Sequence, residues 1–305
     1  MCSFKFIVIT LGHIIIILSL GVAFLKNKTV VITGASGGFG VLFVNRFLQE
    51  GWHVIATVRN SIKEQELLSA ITEPIHLLTI THLDVSRDDS VKEFQLFIES
   101  YPRVDLLINN AGFAVGGFTE DVSIEEYKMQ FEVNFHGVIR VTNVILPIMR
   151  KQKAGRIINI SSISGVFGLP SISAYAASKF ALEGYSESLR LEVKPFGIDV
   201  ALIEPGSYST NIWTTGTYLA KKYKQENGTE YSSMLTRVQG LMQKNNSKLK
   251  PPTEVANTVL KISRMKRVLR LRYPVGRSAR LTIFLKKVLP WILWERIILN
   301  SINKR

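Results

Sequence analysis

Residues 29–40 read Thr-Val-Val-Ile-Thr-Gly-Ala-Ser-Gly-Gly-Phe-Gly, and this stretch decides the fold. Thr29 to Thr33 is a short β-branched run that suits a pleated, buried strand. Glycines follow at once at 34, 38 and 40. Val41 to Glu50 then carries apolar residues at 41, 42, 43, 44, 47 and 48, the pattern of a helix with a buried face. Strand, glycine turn and helix together form a phosphate cradle. The glycines allow a tight turn and close main-chain approach, and the helix N-terminus offers free N–H groups to a pyrophosphate. The spacing is Gly-x-x-x-Gly-x-Gly, not the Gly-x-Gly-x-x-Gly of the commoner dinucleotide fingerprint.

Outward from the cradle the rhythm repeats. A second strand is expected at His53 to Val58, a third at Ile75 to Ile80, a fourth at Val104 to Ile108 and another at Arg156 to Ile160. Helical patterns separate them, with a long one at about Ser123 to Arg150 that contains Asn134. Asn is mildly unfavourable inside a helix, so Asn134 calls for a reason. Alternation of strand and helix from Thr29 to about Ala201 predicts an α/β fold, a parallel sheet covered by helices on both faces. The second strand ends in Arg59. A carboxylate there would accept a ribose 2′-hydroxyl, whereas a guanidinium suits a 2′-phosphate, so the charge favours NADP(H) over NAD(H).

A second constellation lies further on. Tyr175 and Lys179 stand four apart in Tyr-Ala-Ala-Ser-Lys, within a helix expected at Ser173 to Val193 whose apolar positions are Phe180, Leu182, Tyr185, Leu189 and Val193. Residues i and i+4 share a helix face, so the lysine is expected near the phenol. A nearby cation should pull a tyrosine down from its ordinary value of about 10 toward the range of a general acid/base. Ser162 follows the Arg156 to Ile160 run and is placed to meet the Tyr175 hydroxyl. A Tyr and a Lys at this spacing occur often by chance; the phosphate cradle upstream gives the pair its weight.

Taken together, these residues resemble the short-chain dehydrogenase/reductase family. The likeness runs from about Lys28 to Thr210 and more loosely to about Leu299. It comprises Thr33-Gly34-x-x-x-Gly38-x-Gly40, Asp84, Asn109-Asn110-Ala111-Gly112, Asn134, Ser162, Tyr175-x-x-x-Lys179, and Pro205-Gly206 with Thr210, in family order. The resemblance implies a single Rossmann-type doubly wound domain and oxidoreductase activity. It implies Tyr175 as general acid/base, Lys179 as its partner on the nicotinamide ribose, Ser162 as orienter of the reacting oxygen, and Asn134 as holder of a relay water. Gly34, Ser36, Gly38, Phe39, Gly40, Arg59, Asp84, Val85, Asn110, Ala111, Gly112, Pro205, Gly206 and Thr210 would line the cofactor, along with Tyr175 and Lys179. Phe39 stands where an aliphatic residue is usual, and Gly37 where NADP(H)-preferring members often carry Ser or a base. The stretches 54–59, 159–194 and Trp291 to Arg296 resemble the branch near hydroxysteroid and retinol dehydrogenases. A homo-oligomer built on the two long helices is also implied.

The chain's 305 residues and 46% hydrophobic content suit one large domain and exclude wholesale disorder. Cys2 is the sole cysteine and the five histidines are scattered, so neither an intramolecular disulfide nor a catalytic metal is expected. Phe6 to Leu25 is uncharged and long enough to span a hydrocarbon core, and Lys26 and Lys28 follow it. Residues 1–27 are therefore read as a hydrophobic segment, a possible membrane anchor that leaves the catalytic domain in the cytoplasm. The alternative is a purely cytoplasmic protein with an upstream-start extension. The domain proper is expected at 28–280, and 281–305 as a basic amphipathic tail. From Lys261 to Arg305 there are 13 Lys/Arg against Glu295 alone, most of the +14 net charge. Apolar and aromatic residues interleaved with cations suit an anionic membrane surface, and no nucleic-acid motif accompanies them.

Residues 207–250 break the rhythm and are rich in tyrosine; the family forms a flap over substrate there. With Phe113, Val115, Phe118, Phe167 and Leu169 they suggest an apolar pocket for a hydrophobic alcohol or carbonyl compound. A dinucleotide-binding sensor or scaffold without catalysis is the alternative, and its signature would be a damaged Ser/Tyr/Lys set beside an intact cradle.

Overall fold

The computed structural model describes residues 27–210, 216–224, 229–246 and 249–303. The hydrophobic segment 6–25 and Trp213 lie outside them. The strands are β1 (Thr29–Ile32), β2 (His53–Val58), β3 (Leu78–His82), β4 (Leu106–Asn109), β5 (Ala114–Gly116), β6 (Gly155–Ile160), β7 (Ile198–Pro205), β8 (Thr217–Leu219) and β9 (Arg272–Val275). β1, β2, β4 and β7 are buried along their whole length, as strands covered on both faces must be. Seven strands pair in parallel in the order β3-β2-β1-β4-β6-β7-β9, and β5 pairs with β8 in a small second sheet.

The helices are α1 (Phe39–Gln49), α2 (Ser61–Ala70), α3 (Asp88–Ile98), α4 (Ile124–Phe131), α5 (Gly137–Gln152), α6 (Ser173–Val193), α7 (Ser232–Asn246), α8 (Thr253–Ser263), α9 (Arg277–Val288) and α10 (Trp291–Asn303). Successive strand residues point to opposite faces, and two apolar cores result. Val30, Ile32, Val54 and Ala56 pack with Phe43 and Phe47 of α1 and Val255 and Val259 of α8. Val31, Ile55, Leu107 and Ile157 pack with Phe94 of α3, Ile145 and Met149 of α5 and Leu189 of α6. The doubly wound α/β architecture is therefore as expected. β1 has β2 on one side and β4 on the other, so the strand order reverses there and a crevice opens beyond the carboxyl ends.

Three local expectations need correction. β3 starts at Leu78, because Ile75–Leu77 forms a tight 3-10 turn after Pro74. The long helix around Asn134 is not continuous α: a π turn, Glu132–His136, joins α4 to α5. Phe180, read as an inward position, is 47% exposed, because α6 buries the neighbouring Lys179 and Leu182 instead. Within 207–250 the described residues include β8, a 3-10 turn at Lys221–Lys224 and α7. Helix α9 runs across residue 280, where domain and tail were divided. Among the described residues no helix is long and apolar enough to cross a membrane, and no cluster of His, Cys, Asp or Glu is placed to hold a metal ion.

Candidate active site

The cradle forms because Gly34 and Gly38 adopt positive φ, +62° and +49°, which side-chain-bearing residues rarely do. A Cβ on Gly34 would lie 2.7 Å from the Ala111 Cα, so the turn after β1 presses against the turn after β4. Asn110 locks that contact: its Nδ2 donates to the carbonyls of Thr33 (3.0 Å) and Gly34 (2.9 Å). The Thr33 Oγ1 accepts from the N–H groups of Asn110 (2.9 Å) and Ala111 (3.0 Å). Gly38 is the N-cap of α1 and supplies no side chain to it, so the first N–H groups of α1 face the turn. Gly40 acts differently from the other glycines. It does not line the cavity; a Cβ there would sit 2.8 Å from the Ala35 Cα, so its role is close packing of α1 against the turn after β1.

A cavity of about 760 Å³ extends from this cradle past Arg59 and Asp84 to Ser162, Tyr175 and Lys179. Apart from Gly40, every residue proposed from sequence for catalysis or cofactor binding lines it. Asp84 is held by Ser86, whose hydroxyl and N–H donate to its Oδ1 at 2.6 and 3.0 Å. Arg59 is exposed at one end, beside Lys63, which pairs with Glu66 at 2.7 Å. At the other end Gly206 donates to the Val275 carbonyl (3.2 Å) and Thr210 to that of Tyr208 (2.8 Å).

Tyr175 lies in the first turn of α6 and Lys179 one turn on; they are 3% and 6% exposed. The Tyr175 hydroxyl pairs with Ser162, which also accepts from the Ser164 N–H at 3.1 Å. Lys179 Nζ donates to the Ile160 carbonyl at 2.8 Å and stands 5.8 Å from the Tyr175 ring centre. The expected lowering of the tyrosine is not found in this pocket. Burial pushes Tyr175 up to about 12, with Ser162 opposing. Burial also draws Lys179 down to about 8, against the pull of Glu183. Desolvation disfavours both charges, and the ammonium is aimed at a carbonyl instead of the phenol.

Asn134 sits in the π turn with its side chain fully engaged. Its Oδ1 accepts from Phe113 N–H (3.1 Å), and its Nδ2 donates to the Phe113 carbonyl (3.0 Å) and to Ser178 Oγ (3.3 Å). The extra residue of a π turn rotates one side chain off the regular helical track, a device common at functional sites. Beneath the site, Asn109 donates to Asn159 (2.8 Å) and Thr142 (3.2 Å), and Asn159 donates to Ser186 (2.9 Å). This chain ties β4, β6, α5 and α6 together. Sequence reasoning gave no role to Asn159 or Lys63, and it placed Thr33 in the glycine motif without foreseeing that its hydroxyl joins the turns after β1 and β4.

On the apolar side, Phe113, Met129, Val133, Tyr208 and Tyr218 line the cavity. Val115, Phe118 and Phe167 do not. Val115 is core; Phe118 stacks on Tyr231 (4.8 Å); and Phe167 packs edge-on against Trp294 of α10 (5.2 Å).

A parallel doubly wound sheet, a glycine cradle at its switch point and a buried Ser/Tyr/Lys set in the same cavity define a nicotinamide-dependent oxidoreductase. Residues 28–217 match the family model for short chain dehydrogenases, and the chain belongs to that family. Uncharacterized oxidoreductase YusZ of Bacillus subtilis is 42% identical over 276 residues, covering 90% of this chain and 98% of that protein. 3-Ketodihydrosphingosine reductase of Bacteroides thetaiotaomicron is 42% identical over 187 residues, 61% of this chain and 66% of its own. Human retinol dehydrogenase 8 is 37% identical over 187 residues, 60% of each chain. Among solved structures, a short chain dehydrogenase/reductase from Burkholderia phymatum in complex with NAD superposes with a TM-score of 0.70 at 26% identity, covering 85% of this chain and 92% of that one. ElxO with NADP bound does so at 0.67 and 25%, covering 82% and 97%.

Proposed function

We propose that this chain interconverts an apolar alcohol and its ketone or aldehyde, with NADP(H) preferred and Tyr175 as general acid/base. The observation that carries the proposal is the buried Tyr175–Ser162 pair in the cavity whose far end is the glycine cradle. The cradle fits a dinucleotide: positive-φ glycines allow main-chain approach, and the N-terminus of α1 favours a pyrophosphate. Arg59, with Lys63 behind it, suits the 2′-phosphate of NADP(H). The nicotinamide, when bound, supplies or accepts the hydride. Ser162 orients the substrate oxygen, and Tyr175, protonated at neutral pH, donates the proton in the reductive direction. Lys179 holds the nicotinamide ribose. Because the Asn134 side chain is committed to Phe113 and Ser178, its main-chain carbonyl is the group left to hold a relay water.

The aromatic and aliphatic wall favours an apolar substrate. The names of two relatives, which act on 3-ketodihydrosphingosine and on retinol, fit that choice. Membrane association also fits. Leu281, Phe284 and Val288 make an exposed stripe on α9 with Arg277, Arg280 and Lys287 beside it, and Trp291 and Ile292 of α10 are both 65% exposed. Two copies of so basic a face would repel, whereas an anionic bilayer complements it. Self-association is assigned to α6 instead, where Phe180 and Leu191 are exposed.

The test is NADPH oxidation and NADP⁺ reduction against steroid, retinoid and long-chain keto substrates. Tyr175→Phe should lower turnover by about a thousandfold with cofactor affinity unchanged. Unimpaired turnover in that variant would sink the assignment.

A further inference from the structure

One turn beyond Lys179 on α6 lies Glu183, 5% exposed. It belongs to a charge cluster that the hydride chemistry does not use. Arg272 of β9 donates through Nε to Glu183 Oε2 at 2.8 Å and pairs through Nη1 with Glu187 at 2.8 Å. The same Nε lies 3.5 Å from Oε1 of Glu204, which is 1% exposed and forms no hydrogen bond there. Glu204 is the last residue but one of β7, just before Pro205-Gly206, and the Ser161 N–H just after β6 donates to the neighbouring Ile203 carbonyl at 2.8 Å. The packing against Lys179 is close. A Cβ on Gly165 would meet Ser161 Oγ, Glu183 Cγ and the Lys179 carbonyl at 2.9, 3.0 and 3.1 Å.

Resting on the function proposed above, we infer that Glu183, Glu204 and Arg272 are positioning residues, a buried charge network that anchors Lys179 and keeps it cationic. Burial alone would strip the lysine of its proton; an anion one turn away counteracts that. Burial pushes Glu183 up as well, with Ser161 opposing, and Arg272 helps to hold it in the ionised form. It serves Glu204 less well, and Glu204 is raised to about 7 by burial and by the charge of Glu183. The charged group acting on Lys179 from its own helix is Glu183, with Tyr175 one turn back; Arg272 of β9 contacts Glu183, and Glu204 of β7 and Glu187 lie about that guanidinium.

The experiment is an NMR titration of the full-length protein labelled with ¹³C at lysine Cε, the Lys179 signal being assigned by its loss in Lys179→Arg. In Glu183→Gln the Lys179 midpoint should fall by about one pH unit, because its stabilising anion is gone. In Arg272→Gln it should also fall, because Glu183 is then no longer held ionised, and in Glu204→Gln it should fall by less than in Glu183→Gln. Simple loosening of the site would admit water and raise the midpoint in every variant alike. An unchanged or raised midpoint in Glu183→Gln overturns the network; should that variant not fold, the same outcome in Glu204→Gln does so. Turnover of Lys179→Met is measured in parallel. Its loss beside an unmoved midpoint overturns the network alone, whereas full activity in Lys179→Met overturns the hydride-transfer assignment.

Discussion

At the scale of single residues, burial governs the chemistry. Tyr175 and Lys179 are each pushed toward their neutral forms by the same desolvation, and Ser162 and Glu183 oppose it from opposite sides. A phenol that stays protonated at neutral pH is ready to give a proton to a nascent alkoxide. On the function proposed above, cofactor choice would rest on a more exposed group, Arg59. Arg59→Ala removes charge-assisted hydrogen bonds, so the KM for NADPH should rise roughly ten- to a hundredfold while that for NADH holds. Initial-rate kinetics with both cofactors checks this; equal losses for the two would show that Arg59 does not read the 2′-phosphate. The types and spacings of Gly34, Gly38, Ser162, Tyr175 and Lys179 were legible because motif chemistry is local. The reach of Arg272 to Glu183 was not, since 89 residues separate them.

At the scale of elements, buried polar groups join strands and helices. His53 on β2 is 1% exposed, meets Thr79 Oγ1 of β3 at 3.0 Å and stacks on Tyr101. Burial lowers it to about 4. Between that value and its ordinary 6.5 the unfolded chain binds a proton that the folded chain refuses, so stability falls as pH drops through this window. The loss is on the order of 2–3 kcal/mol. Urea unfolding at pH 7 and pH 4 should show it, and His53→Gln should flatten the slope; an equal slope in the variant would assign the acid sensitivity elsewhere. The π turn at Asn134 belongs to this scale too. Composition flagged an Asn in a helix, but the Phe113 main chain that it clamps lies 21 residues away.

At the scale of the whole molecule, the C-terminal helices join a basic apolar surface to the loop after Ser162 through the Phe167–Trp294 contact. Full-length protein should co-sediment with vesicles containing phosphatidylglycerol and be released by high salt. Neutralising Arg277 and Lys287 to Gln should weaken binding about thirtyfold, at roughly 1 kcal/mol per cation. Equal binding to neutral phosphatidylcholine would remove electrostatics from the account.

The chain itself determined the α/β alternation, the cradle and the spacing of Tyr175 and Lys179, because each depends on residues within about one turn or one strand of each other. Tertiary structure alone decided the rest. It set Gly40 against Ala35, turned Phe180 outward, and aimed Lys179 at the Ile160 carbonyl. It also gathered Glu183 and Glu204 about Arg272. Desolvation and long-range pairing are properties of the packed interior, and no local pattern of residue types encodes them.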